Sequence, residues 1–73
     1  MIYQFDYCGR MIASHESFKD AAEWVQKRTS ATQGVEDAAS YIITCCHIND
    51  EMQALRWQAY DYYWSTYSFL GDL

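Results

Sequence analysis

Proline is absent from the sequence, and no stretch has the composition of a linker, an internal repeat or a low-complexity tract. The chain also lacks the run of about 18 or more apolar residues that a membrane helix needs. Its first residues, MIYQFDY, have neither the basic region nor the apolar core of a signal peptide. These absences predict one small domain spanning residues 1–73, located in the cytoplasm and not in a membrane.

A disulfide framework is also missing. The chain has three cysteines, an odd number, and Cys45 and Cys46 are adjacent. A disulfide between neighbours in the sequence would be strained, so we expect reduced thiols, as is usual in the cytosol. Together with Cys8, His15 and His47 they lack the spacing of about two to four residues that structural zinc sites use, so no metal or other cofactor is predicted.

Positive charge is scarce in the second half of the chain. Acidic and basic residues cancel over residues 1–35, whereas residues 36–73 contain one cation, Arg56, and carry the whole formal net charge of −5. The acidic residues of this half are Glu36, Asp37, Asp50, Glu51, Asp61 and Asp72. Proteins that bind DNA or RNA need positive charge opposite the phosphates, so direct binding of nucleic acid is not expected.

The N-terminal residues have the alternation of a β-hairpin. A turn at the pair CG, between MIYQFDY and RMIASH, places Phe5 opposite Ile12 and Tyr3 opposite Ser14. The face expected to lie under a helix then carries Tyr3, Phe5, Tyr7 and Ile12.

A helix is predicted in SFKDAAEWVQKR, where the Ser17 hydroxyl can accept a hydrogen bond from the amide of Asp20 as an N-cap. Its inward face would hold Phe18, Ala21, Ala22, Val25 and Thr29. The following stretch, TSATQG, has the composition of a loop.

The segment GVEDAASYIITCCHI admits two interpretations. Apolar residues at helical spacing, from Val35 to Cys46, favour a helix, whereas the β-branched content of YIITCCHI also suits a buried strand at 41–48. We favour the helix, because a strand would leave about a dozen residues of connection, which is long for a compact domain. Residue Asn49 would then cap a third helix running to the C-terminus, with one stripe formed by Met52, Leu55, Ala59, Tyr63, Thr66 and Leu70. The predicted fold is α+β, an N-terminal two-stranded hairpin packed against helices in the order ββααα, with ββαβα as the alternative.

The segment RWQAYDYYWSTYSF holds more aromatic surface than a core of this size needs, because one helical stripe would close it. The surplus stripe is therefore either additional core or an interface, and tryptophan and tyrosine suit an interface because they bury much area at a small entropy cost. Nearby carboxylates are either helix-start residues or imitate the phosphates of nucleic acid. The residues expected to contact a protein partner are Trp57, Tyr60, Asp61, Trp64, Tyr67, Asp50 and Glu51.

Composition, aromatic content and charge together resemble the inhibitors that phages and mobile elements encode against host defences, such as anti-CRISPR and anti-restriction proteins. The resemblance implies a small acidic protein that occupies the binding surface of a nucleic-acid-handling complex. The alternative is a self-associating structural or regulatory subunit with an aromatic homodimer interface.

Catalysis is not predicted. No local pattern places a cysteine nucleophile beside a histidine and an orienting group. On a strand, His15 and Glu16 point to opposite faces and cannot act as a pair. We also expect so short a chain to have little room for a pocket of the size, about 300–1,000 Å³, that small-molecule sites have.

Overall fold

Two hairpins from opposite ends of the sequence join in one antiparallel sheet, and two helices pack against it. The computed structural model of the protein describes residues 1–29 and 34–68. Its elements are β1 (Ile2–Phe5), β2 (Met11–His15), α1 (Phe18–Thr29), α2 (Val35–Met52), β3 (Gln58–Ala59) and β4 (Tyr62–Ser65). The strand order is β2-β1-β4-β3, so the first strand of the chain is an inner strand that pairs with the last.

The α+β class and the leading hairpin followed by helices are as predicted, but the count of helices is not. The described residues form two helices, and the predicted third helix is replaced by the hairpin β3–β4. The strand considered at 41–48 is also wrong, because α2 is continuous through these residues. Most of the predicted loop TSATQG lies outside the described residues.

A β-bulge corrects the predicted register of the first hairpin. Tyr3 pairs with Ser14 as expected, but Phe5 pairs with Met11 instead of Ile12, because the register shifts between Gln4 and Phe5. As a result Ile12 is exposed. The predicted covered face is therefore wrong: Tyr7 is 80% exposed and Tyr3 is half-buried, and the residue of β1 that joins the buried core cluster is Ile2, from the other face of the strand. The side chains that β1 buries are Ile2, Gln4 and Phe5.

The turn of this hairpin depends on an aspartate and a glycine. The Asp6 carboxylate accepts hydrogen bonds from the amides of Cys8 (2.9 Å) and Arg10 (3.0 Å). Gly9 adopts a φ of +83°, which glycine reaches without the steric cost that other residues have. The composition of the turn thus determines where β1 ends and β2 begins.

Helix α1 begins as predicted. The amide of Asp20 donates to the Ser17 hydroxyl at 3.1 Å, which satisfies one of the main-chain donors left open at a helix start. Ala21, Ala22 and Val25 are fully buried, so the small side chains let α1 approach its neighbours closely. The side chain of Thr29 lies outside the described part of the chain.

The core lies between α1, α2 and the sheet, and Trp64 of β4 is its largest fully buried side chain. The buried cluster consists of Ile2, Ala21, Ala22, Val25, Ala38, Ile42, Cys45, Cys46 and Trp64. Removing a side chain as large as tryptophan from water stabilises a small domain more than any other single residue here can.

The prediction that Asn49 caps a third helix is wrong because α2 continues through Asn49 to Met52. The residue after the helix, Gln53, donates its amide to the carbonyls of Asn49 and Asp50, and its left-handed conformation (φ 55°) lets the next amide, that of Ala54, bond to the Asn49 carbonyl at 3.1 Å. Leu70, the last member of the predicted helical stripe, lies outside the described residues.

The hairpin β3–β4 turns at Tyr60 and Asp61. Both have a positive φ, 57° and 70°, and Ala59 pairs with Tyr62 across them. This is the geometry of a two-residue hairpin loop, which usually contains Asn-Gly or Asp-Gly. Tyrosine and tryptophan in the following strand favour β structure, and pairing with β1 covers the other edge of β4.

Candidate functional site

A buried asparagine, Asn49, bridges β3 and β4 at the position where Trp57 and Trp64 would form the next strand pair. The Asn49 amide donates from Nδ2 to the carbonyls of Trp57 (3.1 Å) and Trp64 (2.8 Å). Its Oδ1 accepts from the amides of Arg56 (2.9 Å) and Trp57 (2.8 Å). Asn49 is fully buried, and its bonds satisfy a buried main-chain carbonyl at Trp64 and half-buried main-chain groups at Arg56 and Trp57, which attaches the main chain of Trp57 to α2.

Asp50, predicted as a partner contact, is used within the fold. Its carboxylate accepts hydrogen bonds from the hydroxyls of Ser65 and Thr66 and from the Thr66 amide (3.1 Å). These bonds attach the end of β4 to the last turn of α2. The carboxylate therefore has a structural role that the sequence did not indicate.

The other predicted partner residues separate into a buried one and an exposed group. Trp64 is 0% exposed, so it belongs to the core and cannot contact a partner in this fold. The surplus aromatic stripe of the predicted helix consisted of Trp57, Tyr60, Trp64 and Tyr67, so the homodimer interface predicted from that stripe loses one of its four residues. Trp57, Asp61, Tyr67 and Glu51 are exposed, and Tyr60 is half-buried.

Two of the predicted residues, Trp57 and Tyr60, meet at a groove between α2 and β3. The groove has a volume of about 460 Å³. Its walls are Tyr41, Thr44, Cys45 and Ile48 of α2 and the segment 57–60. The expectation that so short a chain has little room for such a cavity was therefore wrong.

The aromatic walls of the groove are partly open to solvent. Trp57 is 57% exposed and Tyr41 is 55% exposed. The Tyr41 and Tyr60 rings meet edge to face, with centroids 6.2 Å apart. Tyr60 has its positive φ as the first turn residue of the β3–β4 hairpin, and its ring packs against Tyr41 of α2.

A second recess of about 380 Å³ adjoins the groove and is polar. It is lined by Asp37, Ser40, Tyr41 and Thr44, so the two cavities share Tyr41 and Thr44. Burial raises the pKa of the Tyr60 hydroxyl, and the nearby Tyr41 and the negative charge of Asp37 raise it further. An aromatic groove thus opens beside a carboxylate.

The thiol in the groove wall is held in its protonated form. Cys45 Sγ donates to the Trp57 carbonyl at 2.9 Å, and burial raises the pKa of this thiol to about 11. Burial also raises the pKa of Cys46, with further contributions from Asp50 and Cys45. Because thiolates and not thiols attack electrophiles, both residues are structural.

A second polar cluster, formed by His15 and Gln4, lies next to Trp64. His15 Nε2 is 3.0 Å from Gln4 Oε1, and the His15 ring contacts Trp24 and Trp64 at centroid distances of 6.1 and 5.8 Å. Within residues 1–29 and 34–68, Gln4 Nε2 is buried without a hydrogen-bond partner. Burial lowers the pKa of His15, and the charge of Asp20 opposes this effect.

Two site residues, Tyr41 and Asp37, were not predicted as partner contacts. Both lie on α2, where Asp37 was interpreted as a helix-start carboxylate or as an imitation of a phosphate, and Tyr41 was given no role. Their exposed positions on the predicted helix were a usable signal. The contact of Tyr41 with Tyr60 depends on the β3–β4 hairpin, which the sequence pattern did not predict.

Comparisons with protein-family models, with curated proteins and with solved structures found no match for this chain. No group of three or more His, Cys, Asp or Glu side chains in the described ranges could hold a metal ion. Neither described helix has the length and apolarity to cross a membrane. The groove and the charges around it are therefore the features from which we infer a function.

Proposed function

We propose that this protein inhibits a nucleic-acid-binding protein by occupying the surface that the nucleic acid would use. The observation that carries the proposal is the groove, where exposed Trp57 and Tyr41 lie beside Asp37 in the acidic half of the chain. Surfaces that bind phosphates are rich in arginine and lysine, so an acidic face with aromatic anchors complements them.

Charge and aromatic surface have different roles in this proposal. The net charge of −5, all of it from the second half, attracts a basic surface over a distance and speeds the encounter. The aromatic walls supply the area that is buried once contact is made. Asp61, exposed at the tip of the hairpin next to Tyr60, adds a carboxylate to this side of the molecule.

Inhibitors of this kind are what phages and mobile elements encode against host defences. An anti-CRISPR or anti-restriction role is the form of the proposal that the composition favours. The partner in that case is a protein complex that holds DNA or RNA in a basic channel.

The test combines capture with competition. The immobilised protein is exposed to heparin-binding proteins from a host lysate, and each retained protein is assayed for nucleic-acid binding with and without added inhibitor. We expect a retained protein whose nucleic-acid binding falls as the inhibitor is added. Salt should release it, because the screening length shrinks from about 10 Å at 0.1 M to about 3 Å at 1 M.

Matched variants locate the binding surface. Trp57→Ala and the double variant Asp37→Lys, Asp61→Lys should lose the partner. Tyr7→Ala and Glu16→Lys, which change an exposed aromatic and an exposed acid of the first half, should keep it. A retained protein that binds nucleic acid equally well with the inhibitor attached would refute the proposal.

A further inference from the structure

The three tryptophans of the chain have three different environments. Trp64 is in the core, where its Nε1 donates to the Ala59 carbonyl at 2.9 Å. Trp24 is half-buried and has a cation over its ring, with the Arg28 guanidinium carbon 5.1 Å from the centroid. Only at Trp24, within the described residues, does a cation cover a tryptophan ring.

Unlike Trp24, Trp57 has an exposed ring that no cation of the described residues covers. Across residues 1–29 and 34–68, the Trp57 ring makes no stacking or cation contact, and more than half of its surface is exposed. Its neighbours in the groove are Tyr41 and Tyr60, and Asp37 lines the adjoining recess. The site therefore combines ring faces with a carboxylate, the two groups that attract an organic cation most strongly.

The shape of the two cavities favours a long side chain with a flat, charged end. An apolar stem fits the aromatic groove, and the end reaches the polar recess through the side that Tyr41 and Thr44 share. Arginine has these properties: its guanidinium stacks on aromatic faces, is weakly hydrated, and pairs with a carboxylate through two parallel hydrogen bonds. The ammonium group of lysine is more strongly hydrated and cannot stack.

We propose that the groove binds an arginine side chain on the surface of the partner, with its stem against Trp57, Tyr41 and Tyr60 and its guanidinium paired with Asp37. This inference rests on the proposed function, since arginine is abundant on surfaces that bind nucleic acid. It names the chemical group that the inhibitor takes away from the phosphates.

The test uses the intact protein and three blocked tripeptides, glycine-X-glycine, in which X is arginine, lysine or citrulline. Citrulline has nearly the shape of arginine but a neutral urea group. The readout is the indole N–H signals in a nitrogen-15 spectrum, where Trp57 is the probe and Trp24 the internal reference. We expect arginine to shift the Trp57 signal with millimolar affinity, and citrulline to bind about tenfold more weakly.

Two variants test the assigned contacts while they keep the probe. Asp37→Asn should weaken the arginine peptide about three- to fivefold at low salt, and its control Glu16→Gln should not change it. Tyr41→Leu should weaken it further by removing a ring, whereas Tyr7→Leu should have no effect. Asp37 and Tyr41 are both exposed, so the two variants should remain folded.

Three results would overturn the inference. Equal binding of citrulline and arginine would mean that charge is not recognised. A shift of Trp24 in place of Trp57 would place the cation elsewhere. A Trp57 signal that moves on dilution of the protein alone would show that a second copy fills the groove.

The two proposals can fail separately. If a partner is captured and inhibited but the arginine peptide leaves Trp57 unchanged, the inference is wrong and the proposed function stands. If the peptide binds at Trp57 but no retained protein loses its nucleic acid, the proposed function is wrong and the arginine site stands.

Discussion

Trp57 and Trp64 lie seven residues apart in the same aromatic segment, yet they have opposite positions in the fold. Trp64 is 0% exposed in the core, and Trp57 is 57% exposed at the groove. Asn49 bonds to the main-chain carbonyls of both. The comparison shows that one segment both completes the core and builds a surface, and that a buried amide holds the two parts together.

The largest effect is expected on the Trp64 side. Trp64→Ala should destabilise the protein by about 3–5 kcal/mol, the usual cost of emptying a tryptophan-sized core site. A domain of this size has a margin of similar magnitude, so we expect it to unfold at 25 °C. Urea unfolding followed by circular dichroism measures this. Trp64→Phe should remain folded, and an unchanged urea midpoint for Trp64→Ala would contradict the assignment to the core.

The next largest effect on stability is expected at Asn49, which bonds to the main chain of both tryptophans. Asn49→Ala leaves the amides of Arg56 and Trp57 and the carbonyl of Trp64 without this partner, whereas the Trp57 carbonyl keeps its hydrogen bond from the Cys45 thiol. Each unsatisfied buried group costs about 1–3 kcal/mol. With partial rehydration of the connection, we expect a loss of about 2–4 kcal/mol in the free energy of unfolding. Asn49→Asp keeps the acceptor but buries a carboxylate against the carbonyl oxygens of Trp57 and Trp64, so it should be destabilised at least as much as Asn49→Ala. If both variants unfold at the same urea concentration as the natural protein, the role assigned to Asn49 is wrong.

Lowering the pH should destabilise the protein by protonating His15, which packs against Trp64. Burial lowers the pKa of His15 below its ordinary value of 6.5, so the unfolded chain binds a proton more readily than the folded one. The His15 contribution to stability is therefore complete above pH 6.5 and declines as the pH falls below it, by at most about 1.4 kcal/mol per pH unit. Urea midpoints between pH 7.5 and about 5.5 test this.

His15→Gln should flatten that pH dependence, so that its urea midpoint falls less over this range than that of the natural protein. A natural protein whose midpoint does not fall over this range would contradict the prediction. Within the described residues, Asp20 is the charge identified as opposing the shift, so Asp20→Asn should steepen the decline.

The smallest effect on stability is expected on the Trp57 side. Trp57→Ala keeps the main-chain bonds to Asn49 and removes a side chain that is already more than half exposed, so the loss should be below about 1 kcal/mol. Partner capture should nevertheless be lost. Thermal unfolding and the capture assay, run on the same sample, measure both. A variant that unfolds like Trp64→Ala would show that the two tryptophans are not different in kind.

The parts of the fold that the sequence predicted are those with local signals. The first hairpin, the Ser17 cap of α1 and the helical spacing from Val35 to Cys46 depend on residues close together in the chain. The β3–β4 hairpin was missed because its aromatic residues fit a helical period as well as a strand period. Its turn, Tyr60-Asp61, also lacks the usual glycine.

The candidate site was predicted only in part, because the burial of some of its residues depends on contacts that are distant in the sequence. Trp57, Tyr60 and Asp61 are exposed or half-buried where a partner surface was expected, but Trp64 and Asp50 are used by the fold. Burial of Trp64 depends on β4 pairing with β1, which lies at the other end of the chain. No pattern within the segment contains that information.

The central position of β1 has a consequence for the order of assembly. The bonds from Asn49 to Trp57 and Trp64 span 8 and 15 residues, so α2 and the second hairpin can meet after closing short loops. The pairing of Tyr3 with Ser65 closes a loop of almost the whole chain, which is entropically costly and slow. We therefore expect the β1–β2 hairpin to pair with β4 through β1 in the rate-limiting step, after the wall that holds Trp57 has formed.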